Sequence, residues 1–71
     1  MKRINVISSS IKSIGYDSQS CILEIEFSRG AIYQYKNVPS LHVVRLIFAE
    51  SVGKYFHQHI EKNYEYEKIG E

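Results

Sequence analysis

The sequence predicts one small α+β domain, a three- to four-stranded antiparallel β-meander covered by two C-terminal helices. Three features carry that prediction. Residues of the first half alternate between apolar and polar with a period of two, the repeat of a half-buried strand. From Leu41 to Ile60 the apolar residues recur instead at helical spacing. Clusters of Asp, Ser and Gly separate the alternating runs, and these residues close hairpins. No linker or low-complexity stretch interrupts the 71 residues, so residues 1–71 read as a single domain. A chain this size buries roughly 60% of the surface its unfolded form exposes. Nearly every large apolar side chain must therefore reach the core or be covered by a partner.

Ile4 to Ile7 is a short first segment, joined to the sheet by the flexible run Ser8-Ser9-Ser10. Ile11 to Tyr16 reads as a strand with Ile14 and Tyr16 on one face. Asp17-Ser18-Gln19-Ser20 follows as a turn, because Asp and Ser side chains bond back to nearby backbone amides. Cys21 to Phe27 is the clearest strand: Cys21, Leu23, Ile25 and Phe27 point one way, Glu24 and Glu26 the other. Ser28-Arg29-Gly30 then turns the chain into a strand from Ala31 to Lys36.

Loop length sets the register of that hairpin, and register decides where Tyr33 and Tyr35 face. A two-residue Arg29-Gly30 turn would put both tyrosines beside Glu24 and Glu26 on the solvent side. A three-residue loop, with Gly30 in the left-handed position of a bulge, pairs Ile25 with Tyr33, Glu24 with Gln34 and Leu23 with Tyr35. Only this second register is consistent along the whole hairpin. It is the expected one.

Asn37-Val38-Pro39-Ser40 ends the strand and opens a helix, since the fixed φ of proline suits a first turn and serine suits a cap. That helix is expected from Leu41 to Glu50. Leu41, Val43, Val44, Leu46, Ile47 and Phe48 cover more than half of its wheel, leaving His42, Arg45 and Ala49 as a polar or small strip. A surface helix needs an apolar stripe of only about 100°. Cover on two sides is therefore expected, by the sheet plus either the second helix or another protomer. Ser51 is the expected N-cap of a second helix, from Val52 to Lys62, with Gly53 weakening its first turn. Val52, Tyr55, Phe56 and Ile60 should face inward; Lys54, Gln58, Glu61 and Lys62 should face solvent. Asn63 stops the helix. Tyr64 to Ile69 alternates like a strand that either joins the sheet edge or lies over it.

Cys21 is the one cysteine, so no intrachain disulfide staples the fold and a cytoplasmic location is expected. The longest apolar stretch, Leu46 to Ala49, is far short of the about 20 residues of a membrane span. Met1 to Val6 starts basic without an apolar run behind it, so neither membrane anchor nor signal peptide is expected. The net charge is +1, whereas strong nucleic-acid binders concentrate positive charge. Residues 1–36 hold a surplus of two positive charges and residues 37–71 a deficit of one, which allows a modest basic face on the sheet half.

In order along the chain, Ile14-Gly15-Tyr16-Asp17, Leu23-Glu24-Ile25-Glu26-Phe27, Gly30 and Tyr33-Gln34-Tyr35 resemble the KTSC domain family. Val38-Pro39, Ala49-Glu50-Ser51-Val52-Gly53-Lys54-Tyr55-Phe56, Ile60 and Tyr64 continue the likeness, which spans residues 6–69. The family takes its name from the C-terminus of some bacterial lysyl-tRNA synthetases and also occurs as small stand-alone bacterial and phage proteins. Its central Y-x-Y motif corresponds to Tyr33 and Tyr35. The resemblance implies the fold, and the attachment to a synthetase implies RNA as a ligand.

Tyr33 and Tyr35 admit two roles. Rings on a sheet accept stacked bases, at ~1–3 kcal/mol each, and Arg29, Lys36 and Lys12 would hold phosphates. In the expected register the same rings pack against Leu23, Ile25 and the helices, with their hydroxyls at the rim. The motif also lacks the sequence context of the common RNA-binding sheets, so packing is the favoured role. Ser51, Gly53 and Lys54 pose a parallel choice. Backbone amides at a helix N-terminus, with a lysine beside them, accept a phosphate or carboxylate, whereas Ala49, Ser51 and Gly53 would let two helices meet closely. Packing is again favoured.

No catalytic chemistry is expected. His57 and His59 are i and i+2 on a helix, about 200° apart, and cannot share an ion. Cys21, on the apolar strand face, reads as an inert small hydrophobe. Ser8 to Ser10 have no base nearby, Glu24 and Glu26 lie on a solvated face, and the glycines form no phosphate cradle. Neither a metal nor a cofactor is called for. Two functions of different kinds fit these residues. One is an RNA-binding module using Arg29, Tyr33, Tyr35 and Lys36, or Ser51, Gly53 and Lys54. The other is a protein-interaction or self-association module, a homodimer or a docked partner, built on the apolar helix over residues 41–48.

Overall fold

In the computed structural model, which describes residues 2–71, the strands β1 (Arg3–Asn5), β2 (Ile11–Asp17), β3 (Ile22–Phe27), β4 (Ile32–Tyr35) and β5 (Tyr66–Gly70) form one antiparallel sheet in sequential order. Helices α1 (Ser40–Ile47) and α2 (Val52–His59) lie between β4 and β5 in the chain. They supply Val43, Leu46, Val52 and Phe56 to the core formed on one sheet face. The α+β meander is as expected, extended at both ends. Arg3 to Asn5 pairs with Gly15 to Ser13, and the alternating tail pairs with β4 as the far edge strand. Met1, part of the basic start noted above, lies outside the described residues. No described helix is long and apolar enough to cross a membrane.

The hairpin takes the three-residue form. Phe27 N–H donates to Ala31 O at 2.9 Å, Gly30 sits at φ +107°, and Leu23, Glu24 and Ile25 pair with Tyr35, Gln34 and Tyr33. A register shift between Ile11 and Ser13 lets Ile11 and Ile14 both reach the core although they are three residues apart. Tyr16 donates its hydroxyl to Val38 O at 2.6 Å, tying β2 to the start of α1.

Cys21 departs from the expected strand. It ends the turn in a left-handed conformation, φ 58°, half-buried, with its carbonyl accepting from Val38 N–H at 2.9 Å. The pattern of alternation does not reveal this, because the turn borrows the strand's first apolar position.

The outer face of the sheet is a polar network. Arg3 Nε is 3.4 Å from Glu24 Oε2, Gln34 Nε2 donates to Glu24 Oε1 at 2.9 Å, and Ser13 Oγ donates to Glu26 Oε1 at 2.7 Å. Glu24 was expected to be solvated, but it is only 8% exposed, because Arg3 and Gln34 lie across it. The Ser13 hydroxyl, helped by the nearby charges of Lys12 and Arg3, holds the Glu26 carboxyl below its usual range. That is the reverse of what a general acid needs. Arg3 of the first half's positive surplus is thus paired with these glutamates.

Helix α1 begins at Ser40 with Pro39 as N-cap and ends at Ile47. Val43 and Leu46 pack into the core, while Leu41, Val44 and Phe48 on the opposite side are 56%, 51% and 83% exposed. The core and α2 both meet the helix, yet they leave this outer side uncovered, so the cover expected from the wheel is incomplete within one chain. His42 leaves the expected polar strip and lies 6.3 Å from the Tyr55 ring and 6.1 Å from the Tyr64 ring.

Ser51 caps α2 as expected, its Oγ accepting from Lys54 N–H at 3.3 Å. The helix ends at His59, where Asn63 Nδ2 donates to the His59 carbonyl at 2.8 Å. Gly53 serves a different contact from the helix–helix approach expected of it. A Cβ at this position would stand 2.8 Å from Ser10 Oγ and 3.2 Å from Ser8 Oγ, so the glycine lets α2 sit directly against the serine loop. Gly53→Ala should gain helix propensity yet lose about 1 kcal/mol net through that overlap. Ser10→Ala should recover most of the loss in the double variant. Urea melts of the four-member cycle check this.

Candidate functional site

Phe56 of α2 packs on Phe27 of β3 and Tyr35 of β4, and beside it the core face opens into a cleft of about 640 Å³. Pairing of Tyr35 with Tyr66 and of Tyr33 with Lys68 sets the tyrosines of β4 and β5 on this one face. Tyr35 is the floor, 2% exposed, with Phe56 edge-on to its ring at 5.3 Å. Tyr33 is half-buried and Tyr66 is 57% exposed, and their ring centroids lie 5.4 Å apart. Tyr33 and Tyr35 are nearly parallel, 21° between planes and 6.4 Å between centroids. Phe27 meets Tyr33 edge-on at 5.5 Å, and the Arg29 guanidinium lies 5.1 Å from the Phe27 ring centre. His57, Glu61, Lys62 and Tyr64 form the opposite wall.

Burial, with the Glu61 carboxylate adding to it, pushes the Tyr35 phenol well above its ordinary range. The hydroxyl therefore stays neutral and able to donate. An ionisation raised on folding favours the native state below about pH 10, and this advantage is lost as pH rises further, because only the unfolded phenol then ionises. Absorbance titration should show Tyr35 failing to ionise before the alkaline unfolding transition, and Tyr35→Phe should reduce that late step, leaving the part due to Tyr16, which burial also raises.

Of the residues read from the sequence as a site, the cleft brings together Arg29, Tyr33 and Tyr35. Lys36 is not among them. It follows Tyr35 onto the outer face, where Nζ lies 4.0 Å from Glu67. Ser51, Gly53 and Lys54 line a separate groove of about 450 Å³ with Ser8 to Ser10, touching the cleft only through Ser10 and His57. There Ser51 is occupied in capping and Gly53 in close packing. The favoured core role holds for Tyr35 and only partly for Tyr33, whose ring reaches the opening.

Sequence reading missed Tyr66, Tyr64, Lys62, His57 and Glu61 as cleft residues. The signal was present in the tail, where Tyr66 and Lys68 share the parity of Tyr33 and Tyr35 once β5 is laid antiparallel to β4. Glu61, expected in solvent, is half-buried at the wall and 2.8 Å from His57 Nδ1. His59 turns away, its ring 4.6 Å from that of Tyr55. Among the described residues no three His, Cys, Asp or Glu side chains gather as a metal set. The arrangement suits a flat ring and an anion together, with aromatic faces for the first and Arg29 and Lys62 for the second.

The sequence model of the KTSC domain matches residues 7–64. An uncharacterised protein of Stutzerimonas stutzeri is 46% identical over 70 residues, covering 97% of this chain and 99% of its own length. A lysine–tRNA ligase of Trichormus variabilis is 38% identical over 61 residues, which are 86% of this chain and 11% of the ligase. The crystal structure of a KTSC domain protein from Yersinia pestis superposes with a TM-score of 0.92 at 40% identity, covering 97% of both chains.

Proposed function

This chain belongs to the KTSC domain family, and from that premise we propose that it is an RNA-binding module that holds single-stranded RNA in the aromatic cleft. Tyr33 and Tyr66 stack bases while Arg29 and Lys62 hold the phosphates. The observation that carries this reading is the joining of four tyrosines and two cations in one cleft at the open margin of the core. Three lysine–tRNA ligases carry a segment similar to this chain over 11% of their length, which sets the domain beside enzymes named for a tRNA substrate. The proposed setting is the bacterial cytoplasm, where a lone free thiol persists.

Fluorescence anisotropy of a labelled single-stranded oligonucleotide over a salt series tests the reading. Two phosphate contacts predict a log–log salt slope of about −1.4. Absence of binding at low salt, or binding indifferent to salt, would remove it.

A second reading rests on the exposed stripe Leu41, Val44 and Phe48 at i, i+3 and i+7 of α1. It is a self-association surface, in which an antiparallel second copy sets Leu41 against Phe48 about Val44. Three side chains cover far less than the ~800 Å² per partner of a standard interface, so association would be weak. Sedimentation at high protein concentration should show a dimer that Val44→Glu abolishes; a monomer throughout would end this reading.

A further inference from the structure

Glu61 is out of place in a cleft that receives an anion. Its carboxylate lies at the wall beside Lys62 and Tyr64, half-buried, facing the same space as Tyr33, Tyr35 and Tyr66. Toward a phosphate it is repulsive. It becomes favourable only where the ligand offers hydrogen-bond donors, and in a slot walled by aromatic rings the donors at hand are the N–H groups of a base edge.

The four bases differ in that respect. Uracil offers one imide N–H, and adenine and cytosine each offer one amino group. Guanine alone presents two neighbouring donors, N1–H and N2–H, spaced to meet the two oxygens of one carboxylate. His57 leaves that geometry open. It engages one oxygen, Oε1, at 2.8 Å, and each carboxylate oxygen has two acceptor sites. The His57 contact holds Oε1 on one side, which makes His57 a positioning residue in this arrangement. The volume, about 640 Å³, falls within the ordinary range of pockets for small ligands. It suits one nucleotide and part of its neighbour better than a long stacked strand.

We infer that the cleft reads a guanine, with Glu61 accepting from N1–H and N2–H of a base stacked on Tyr33 and Tyr66. The inference rests on the RNA reading above and adds the identity of the base.

The experiment uses the whole chain and uridine-rich seven-nucleotide RNAs that differ at one central position, G, A, C or U, measured by anisotropy. The wild-type protein should prefer the G-containing strand about tenfold or more over the U strand. Glu61→Gln should bring all four strands within about twofold by weakening the G strand and leaving the others unchanged or tighter, since a repulsive charge is gone. Circular dichroism confirms that the variant is folded. His57→Ala should weaken the G preference without abolishing binding.

Equal affinities of the wild-type protein for all four strands would overturn the inference. So would a Glu61→Gln variant in which all four affinities fall together. In either case, binding lost in Tyr33→Ala would leave the RNA reading standing. Absence of binding to any strand would overturn both.

Discussion

Tyr33→Ala is expected to weaken single-stranded RNA binding about tenfold or more, with Tyr33→Phe close to wild type. A stacked base contributes ~1–3 kcal/mol by alanine substitution, and phenylalanine keeps the ring while discarding the hydroxyl. Tyr33 is suited to this test because its ring is half-buried at the opening, where it contacts Phe27 and Tyr66 without closing the core. Loss of those aromatic contacts costs about 0.5–1.5 kcal/mol each beyond area burial, so the melting temperature will fall modestly. Anisotropy at a temperature where both proteins are folded separates the two effects. A variant with a lowered melting temperature and unchanged affinity would mean that Tyr33 is a packing residue only.

The largest effect on stability is expected at Phe56. Its side chain is fully buried and lies edge-on to Tyr35 at 5.3 Å and to Phe27 at 5.7 Å, joining α2 to the sheet. Truncation of such a residue to alanine costs about 3–5 kcal/mol. Domains carry only ~0.05–0.15 kcal/mol per residue, so for a chain of 71 residues this is much of the total. Phe56→Ala should be largely unfolded at 37 °C by circular dichroism, and Phe56→Leu folded with a lower urea midpoint. A loss under about 1 kcal/mol for the alanine variant would contradict the assignment of Phe56 to the centre of the core. Because the floor of the cleft depends on this residue, its variants report on folding and Tyr33 reports on binding.

Much of the fold was legible because local chemistry dictates it. Gly30 in the left-handed region sets a three-residue loop, the loop sets the register, and the register sends Tyr33 and Tyr35 to the core face. Pro39 and Ser51 mark the helix starts through fixed φ and side-chain capping, both local effects. What depended on long-range pairing was harder to read. The short segment Arg3–Asn5 gains strand character only by lying beside β2, and the tail became β5 only because β4 offered a free edge. With β5 unplaced, Tyr66 had no neighbours to be read against, and the cleft stayed invisible as a unit.

Lys36 does not join Tyr33 and Tyr35 in the cleft for a simple reason. In a strand the residue after an inward tyrosine points outward, and here it meets Glu67. Cys21 misled through the same alternation, since a turn residue with φ 58° can mimic a strand position by parity. The over-wide apolar arc of α1 led to an expectation of cover on two sides, and within one chain that cover is incomplete. The outer half of the arc remains on the surface as Leu41, Val44 and Phe48.

The cleft between α2 and the β4–β5 edge is the proposed binding place of single-stranded RNA. Nitrogen- and carbon-edited NMR titration of the labelled protein with a short single-stranded RNA at low salt measures this directly. The expected result is a set of shifts at the Tyr33 and Tyr66 rings, Arg29, His57 and Lys62, with the outer-face residues Glu24, Gln34 and Lys36 unmoved. Shifts confined to Leu41, Val44 and Phe48, or no shifts at saturating RNA, would contradict it.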